Sequence, residues 1–225
     1  MIEPGSYLDR VFVNFSLRRE DELAALVTHI VGFGLNMIMA GLLIVFAAIK
    51  IGDVTSIVSF SVFSLFFTLY YIFSILFHAL DKVKNKKIFR ILELNSKYLV
   101  FFGAALPLTL GVVGGQLGWI FFGIFTALIS VGILVTSLNK PKSSSITTII
   151  NLLIFAGLIA FLVMSWQTIS FITVIWLGIS LALLVGGIFI DNLGAYRFHH
   201  ATSHLMYLFL NVSLFFSFIF GIILV

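Results

Sequence analysis

Seven apolar runs of about twenty residues each, joined by short polar connections, leave this chain few ways to fold. They occupy residues 27–49, 54–80, 89–111, 116–137, 146–165, 169–191 and 200–224. A run of that length crosses the hydrocarbon core of a bilayer as an α-helix, because a helix satisfies its own backbone polar groups where no water can. Composition agrees, with 61% hydrophobic residues, 10% charged residues and a mean hydropathy of +1.20, against about 25% charged residues in soluble domains. The sequence therefore predicts an all-α fold, a seven-transmembrane helix bundle, with residues 1–26 as a cytoplasmic N-terminal segment and 27–225 as a single membrane domain. Residues 1–26 have no basic start followed by an early apolar core, so no cleaved signal peptide is expected. Arg10 to Leu17 alternates polar residues with Val and Phe, a pattern expected to lie along the membrane surface.

Orientation follows from where the basic residues fall. With seven spans, the N-terminal segment and the second, fourth and sixth connections share one side. That side carries Arg10, Arg18, Arg19, Lys82, Lys84, Lys86, Lys87, Arg90, Lys140, Lys142 and Arg197, eleven of the 13 Lys and Arg residues. The other side has Lys50, and Lys97 lies inside the third span. The positive-inside rule then puts the N-terminus in the cytoplasm and the C-terminus outside, in an integral protein of the plasma membrane. The net charge of +4 resides in loops that face headgroups. It implies membrane lipids as partners and no nucleic acid.

The chain has no cysteine, which excludes disulfides and thiolate metal sites, so a metal must be held by His, Asp or Glu. In the orientation above, the second span ends at His78 on the cytoplasmic side, and the seventh begins there with His200 and His204. The last two lie one helical turn apart on one face, close enough to grip a single cation. His29, in the first turns of span one, and Glu93, in the first turns of span three, reach the same depth, whereas the outer side holds no His and only Asp53 as an acid. Ionisable side chains in membrane spans are costly to place and mark function. Three neutral imidazoles plus a water complete a tetrahedral zinc sphere, in which the metal lowers the water's pKa toward about 7. On this reading His78, His200 and His204 supply the three imidazoles, and a nearby carboxylate could hold and deprotonate the water. Ser74, four residues before His78 on the same face, orients the imidazole or the substrate; it fits equally well as a packing serine bonded to its own helix. His29 is either a further site residue or, as expected first, a polar residue of the first turns partnered by Glu22, seven residues earlier. His199 points about 100° away from His200 and is expected at the interface.

Ser74-Ile-Leu-Phe-His78, then Arg90-Ile-Leu-Glu93-Leu-Asn-Ser-Lys-Tyr98 running to Gly103 and Pro107, then His200-Ala-Thr-Ser-His204 closely resemble the motifs of the hemolysin III family and its relatives, the progestin and adiponectin receptors. Glu22 and Thr28-His29 fit that family's first motif, and the resemblance runs from about residue 20 to the end. It implies a zinc ion bound by His78, His200 and His204 beneath the cytoplasmic surface, with an acidic residue holding a metal-bound water. Two positions depart from the pattern. Glu93 stands where aspartate is usual, and Lys97, spaced to pair with Glu93 along the helix, stands where an apolar residue is usual. Pro107 fits and is expected to kink span three.

Three functions remain open at this point. The first is a zinc-dependent, ceramidase-like hydrolase of a lipid amide or ester in membrane lipid homeostasis. The second is a non-enzymatic, receptor-like sensor of membrane state in which zinc ties spans two and seven together. The third is the cytolytic activity after which the family is named, for which no span offers the polar stripe that a water-filled pore requires.

Overall fold

A computed structural model describes residues 19–80, 83–138, 143–193 and 197–224. Among these the chain forms seven helices long and apolar enough to cross a membrane, and no strand. They are α1 (Arg19–Phe46), α2 (Val54–Ala79), α3 (Val83–Leu106), α4 (Gly115–Leu138), α5 (Ser143–Met164), α6 (Phe171–Leu193) and α7 (His199–Phe218). Three of them continue as π-helical segments, α1 through Ala47–Ile51, α3 through Pro107–Val113 and α7 through Ile219–Ile223. The surface segment expected at Arg10 to Leu17, and Arg10, Arg18, Lys82, Lys140 and Lys142 of the orientation argument, lie outside the described residues.

Expected spans and observed helices agree to within a few residues except at two starts. α1 begins at Arg19 and α3 at Val83, well before the apolar runs at 27 and 89. The added turns are charged, so hydropathy passes over them, but their charges are placed to stabilise a helix. Glu20, Asp21 and Glu22 sit at the positive end of the α1 dipole. The Lys-rich start of α3 is offset by Glu22, to which Lys86 Nζ donates at 2.6 Å.

At the opposite end, Gly52 takes φ 75° and returns its N–H to Ala47 O at 2.9 Å, a left-handed cap open to a residue without Cβ. Asp53 then caps α2 by accepting from Ser56 N at 2.9 Å. Hydrogen bonding to Ser56 holds the Asp53 carboxyl below the ordinary aspartate value. Pro107 has no N–H for the helical ladder, and there α3 widens into its π segment, closed by Gly114 N–H on Thr109 O at 2.8 Å.

α7 lies at the centre, with 61% of its membrane window buried against 17% for α5. α2 buries Ser59, Ser64, Tyr71, Ser74 and His78, and α7 buries His200, His204, Asn211 and Ser217, a polar stripe that faces the packed interior of the bundle. Ser and Tyr scarcely lower a hydropathy average among so many Phe, which is why the stripe is hidden. Two of its members, Tyr71 and Asn211, are tied across helices. Asn211 Nδ2 donates to Asn36 Oδ1 at 3.1 Å and to Tyr71 Oη at 3.3 Å, while Asn36 Nδ2 donates to Thr68 Oγ1 at 3.0 Å. Asn36, Tyr71 and Asn211 lie two turns from His29, His78 and His204 on their respective helices. This clasp therefore sets the register of α1, α2 and α7 one layer from the histidines. Gly32 makes the approach possible, since a Cβ there would stand 2.3 Å from Tyr71 Cε1.

Candidate metal centre

Four imidazoles meet where α1 and α7 begin and α2 ends. His29, His200 and His204 are 1%, 1% and 2% exposed, and His78 is 6% exposed. One nitrogen from each of His29, His78 and His204 lies within 4.8 Å of the other two. The His29 ring stacks on His78 with centroids 5.5 Å apart and meets His204 edge to face at 4.2 Å. His200 completes the group, its ring 5.4 Å from His78 and its Nε2 2.9 Å from His204 Nε2. Two imidazole nitrogens that close need a proton or a cation between them, because their lone pairs repel.

Carboxylates orient two of the rings. His78 Nδ1 lies 2.9 Å from Glu22 Oε2, and His200 Nδ1 lies 2.7 Å from Asp191 Oδ1. An ionised carboxylate only accepts, so each ring donates its Nδ1–H and is left with a lone pair on Nε2. This is how metal-ligating histidines are held in other proteins. Glu22 thus serves His78 rather than His29, its expected partner, because α2 brings His78 to the start of α1 while His29 faces inward one layer deeper. Neighbouring turns close the same end, with Glu20 paired to Arg197 and Asp21 Oδ1 accepting from Phe198 N at 3.1 Å. Phe198 holds the left-handed conformation, φ 66°, at the residue before α7.

Glu93 is fully buried. Arg90 Nη1 donates to its Oε2 at 2.6 Å, and Lys97 Nζ stands 3.5 Å from Oε1. The pair that the spacing allows between Glu93 and Lys97 is therefore made at a buried carboxylate, not an exposed one. Ser74 is fully buried beside Tyr70 and has no hydrogen bond to His78 among the described residues. The arrangement thus groups His78, His204 and His200 with His29, and sets Glu93 and Ser74 on the neighbouring helical faces.

The donor set suits a zinc-like cation. Both ring nitrogens of His29, Nε2 of His78 and Nδ1 of His204 are buried with no hydrogen-bond partner. Such a group costs about 1–3 kcal/mol when left unpaired, a penalty that ligation of a cation offsets. Neutral imidazoles anchored by carboxylates are the nitrogen ligands that zinc favours.

The model of a family described as Haemolysin-III related matches residues 17–223 of this chain. The chain belongs to the haemolysin-III-related family. It is 28% identical over 214 residues to Hemolysin-3 of Bacillus cereus, covering 91% of this chain and 93% of that protein. It is likewise 28% identical over 212 residues to the Hemolysin-3 homolog of Bacillus subtilis (strain 168), covering 89% of this chain and 94% of that protein. The match spans all seven helices and every residue of the centre, so this haemolysin-III-related chain is an integral membrane protein throughout the matched length. One of its site residues escapes sequence reasoning. Asp191 lies nine residues before His200, across a break between helices that periodicity cannot bridge. Arg90, three residues before Glu93, was legible as a helix-neighbour pair.

Proposed function

We propose that this haemolysin-III-related protein is a metal-dependent hydrolase of a lipid amide or ester, with zinc as the metal. The observation that supports this reading most is the set of partnerless imidazole nitrogens beside a fully buried carboxylate at the charged end of the bundle. A zinc ion held there supplies the Lewis acidity that activates water near neutral pH. The chain's own residues do the rest. Glu22 and Asp191 hold His78 and His200 through Nδ1, directing Nε2 inward. Arg90 fixes Glu93 through Oε2, leaving Oε1, which accepts no hydrogen bond, as the oxygen available to a proton. Arg19, Lys86, Lys87, Arg90 and Arg197 lie at this end and Lys50 at the other, which supports a cytoplasmic placement and access from the inner leaflet of the plasma membrane.

The test is turnover. Purified protein in vesicles containing ceramide or phospholipid should release fatty acid, lose that activity with a chelator and regain it with zinc. No metal-dependent product from either lipid would remove the hydrolase reading. A second reading, a membrane-state sensor with structural zinc, is favoured by the engagement of Glu93 with two cations; it predicts that chelation loosens the bundle and forms no product. The relatives' name suggests cytolysis, but the polar residues of α2 and α7 are buried inside the bundle, and Asn36, Tyr71 and Asn211 bond to one another there.

A further inference from the structure

Within the spans, asparagine side chains tie neighbouring helices together. Asn36 of α1 donates to Thr68 of α2 at 3.0 Å, Asn95 of α3 to Ser137 of α4 at 2.8 Å, and Asn211 of α7 to Asn36 at 3.1 Å. Asn151 of α5 departs from this pattern. It is exposed and has no hydrogen bond among the described residues, on the helix with the smallest buried share of the seven, 17% of its membrane window. Eight residues of helix separate it from Ser143, a rise of about 12 Å. A short carboxamide cannot reach back over that distance to the headgroups as a long lysine would. Contacts between helices give the same depth. Gly157 of α5 faces the Phe125 ring of α4, and Gly132 of α4 faces the Tyr98 ring of α3, so the antiparallel pair α4 and α5 brings Asn151 close to the level of Tyr98, more than a turn below Glu93. An amide at that depth has no water to bond and is costly to leave unpaired.

We propose that α5 is a self-association face on which two copies of this chain pair side by side through Asn151. A carboxamide carries both donor and acceptor, so two of them facing each other across a two-fold axis along the membrane normal satisfy one another reciprocally. A second copy inserted in the same orientation necessarily presents its own amide at the same depth, which is why the occupant is this chain. Ser130 of α4, exposed and next to that level, offers a hydroxyl for the amide hydrogens left over. Leu152 and Ile159 continue the exposed side of α5 and supply the packing that drives helix association in lipid. The pairing is isologous and therefore closes at two copies. It is independent of the metal centre.

Because the chain has no cysteine, a single introduced thiol can form a disulfide within the assembly only with its own copy. The full-length protein carries Thr148→Cys, one turn before Asn151, or Val27→Cys, on the exposed side of α1, and is oxidised with copper phenanthroline in its native membrane. Thr148→Cys should give a cross-linked dimer and Val27→Cys none. In liposomes, single-molecule photobleaching over a range of protein-to-lipid ratios then measures the dimer constant without a cross-link. Asn151→Leu should raise the dissociation constant about 5- to 30-fold, and Asn151→Gln, which keeps the amide, should recover much of the loss. Absence of a dimer from Thr148→Cys would overturn the proposal, as would equal cross-linking from both thiols or cross-linking of Thr148→Cys to a different membrane protein. A dimer constant unchanged by Asn151→Leu would overturn it as well.

Discussion

His78 and Glu22 meet across 56 residues of chain, with His78 Nδ1 2.9 Å from Glu22 Oε2, while Lys86 from a third helix donates to the other carboxylate oxygen at 2.6 Å. One side chain therefore fixes the orientation of an imidazole and joins α1, α2 and α3. Glu22→Ala should lower metal affinity by about 10- to 100-fold, the usual effect of losing a carboxylate behind a ligating histidine. Zinc competition with a chromophoric chelator measures it, and Glu22→Asp should recover part of the loss.

Glu93 should behave as a structural charge as well as a site residue. Removing it takes from the buried Arg90 the carboxylate to which it donates at 2.6 Å, and breaking a buried pair from one side costs about 3–5 kcal/mol. Glu93→Leu should therefore lower thermal stability in detergent strongly. Arg90→Met combined with Glu93→Leu should restore much of it, because neither charge then remains in the interior. Lys97 is 31% exposed and stands 3.5 Å away, so Lys97→Met should change stability by about 1 kcal/mol or less.

The clasp next to the histidines should be sensitive to crowding. A Cβ at residue 32 would overlap the Tyr71 ring, and Gly32→Ala should cost about 1–3 kcal/mol by overpacking. Asn211→Leu removes two hydrogen bonds between helices and should cost about 1–2 kcal/mol. Differential scanning fluorimetry with zinc content measured in parallel separates loosening of the bundle from direct loss of ligands.

Outside the spans, Asp53 caps α2, so Asp53→Ala should destabilise by about 0.5–2 kcal/mol at neutral pH. The folded-state pKa is lowered by the bonds to Ser56. A depressed carboxyl contributes stability above its unfolded pKa and loses it as pH falls through the folded value. The gap between wild type and Asp53→Ala should thus be full above about pH 5 and narrow as acid is added, which thermal melts in a pH series would follow.

Much of this architecture was legible because hydropathy and spacing act over short distances along the chain. The seven spans, the Pro107 disturbance and the pairing of His200 with His204 are all local patterns. Contacts between helices were less accessible. The shared depth of His29, His78 and Glu93 could be reasoned from alternating spans, but the rotation of α1 that turns His29 inward and leaves Glu22 facing His78 could not. Asp191 depends on how α6 meets α7, and the Asn36–Asn211 clasp on residues that a hydropathy average conceals. The charged starts of α1 and α3 fall outside the apolar runs, and the partners that hold them lie on other helices.

The most direct measurement is the metal content of the purified protein by mass spectrometry, after isolation without chelator and incubation with zinc. The account predicts about one tightly held zinc per chain, retained through desalting and lost in His78→Ala and in His204→Ala. A wild-type protein that retains no more zinc than a His78→Ala/His204→Ala double variant would contradict it.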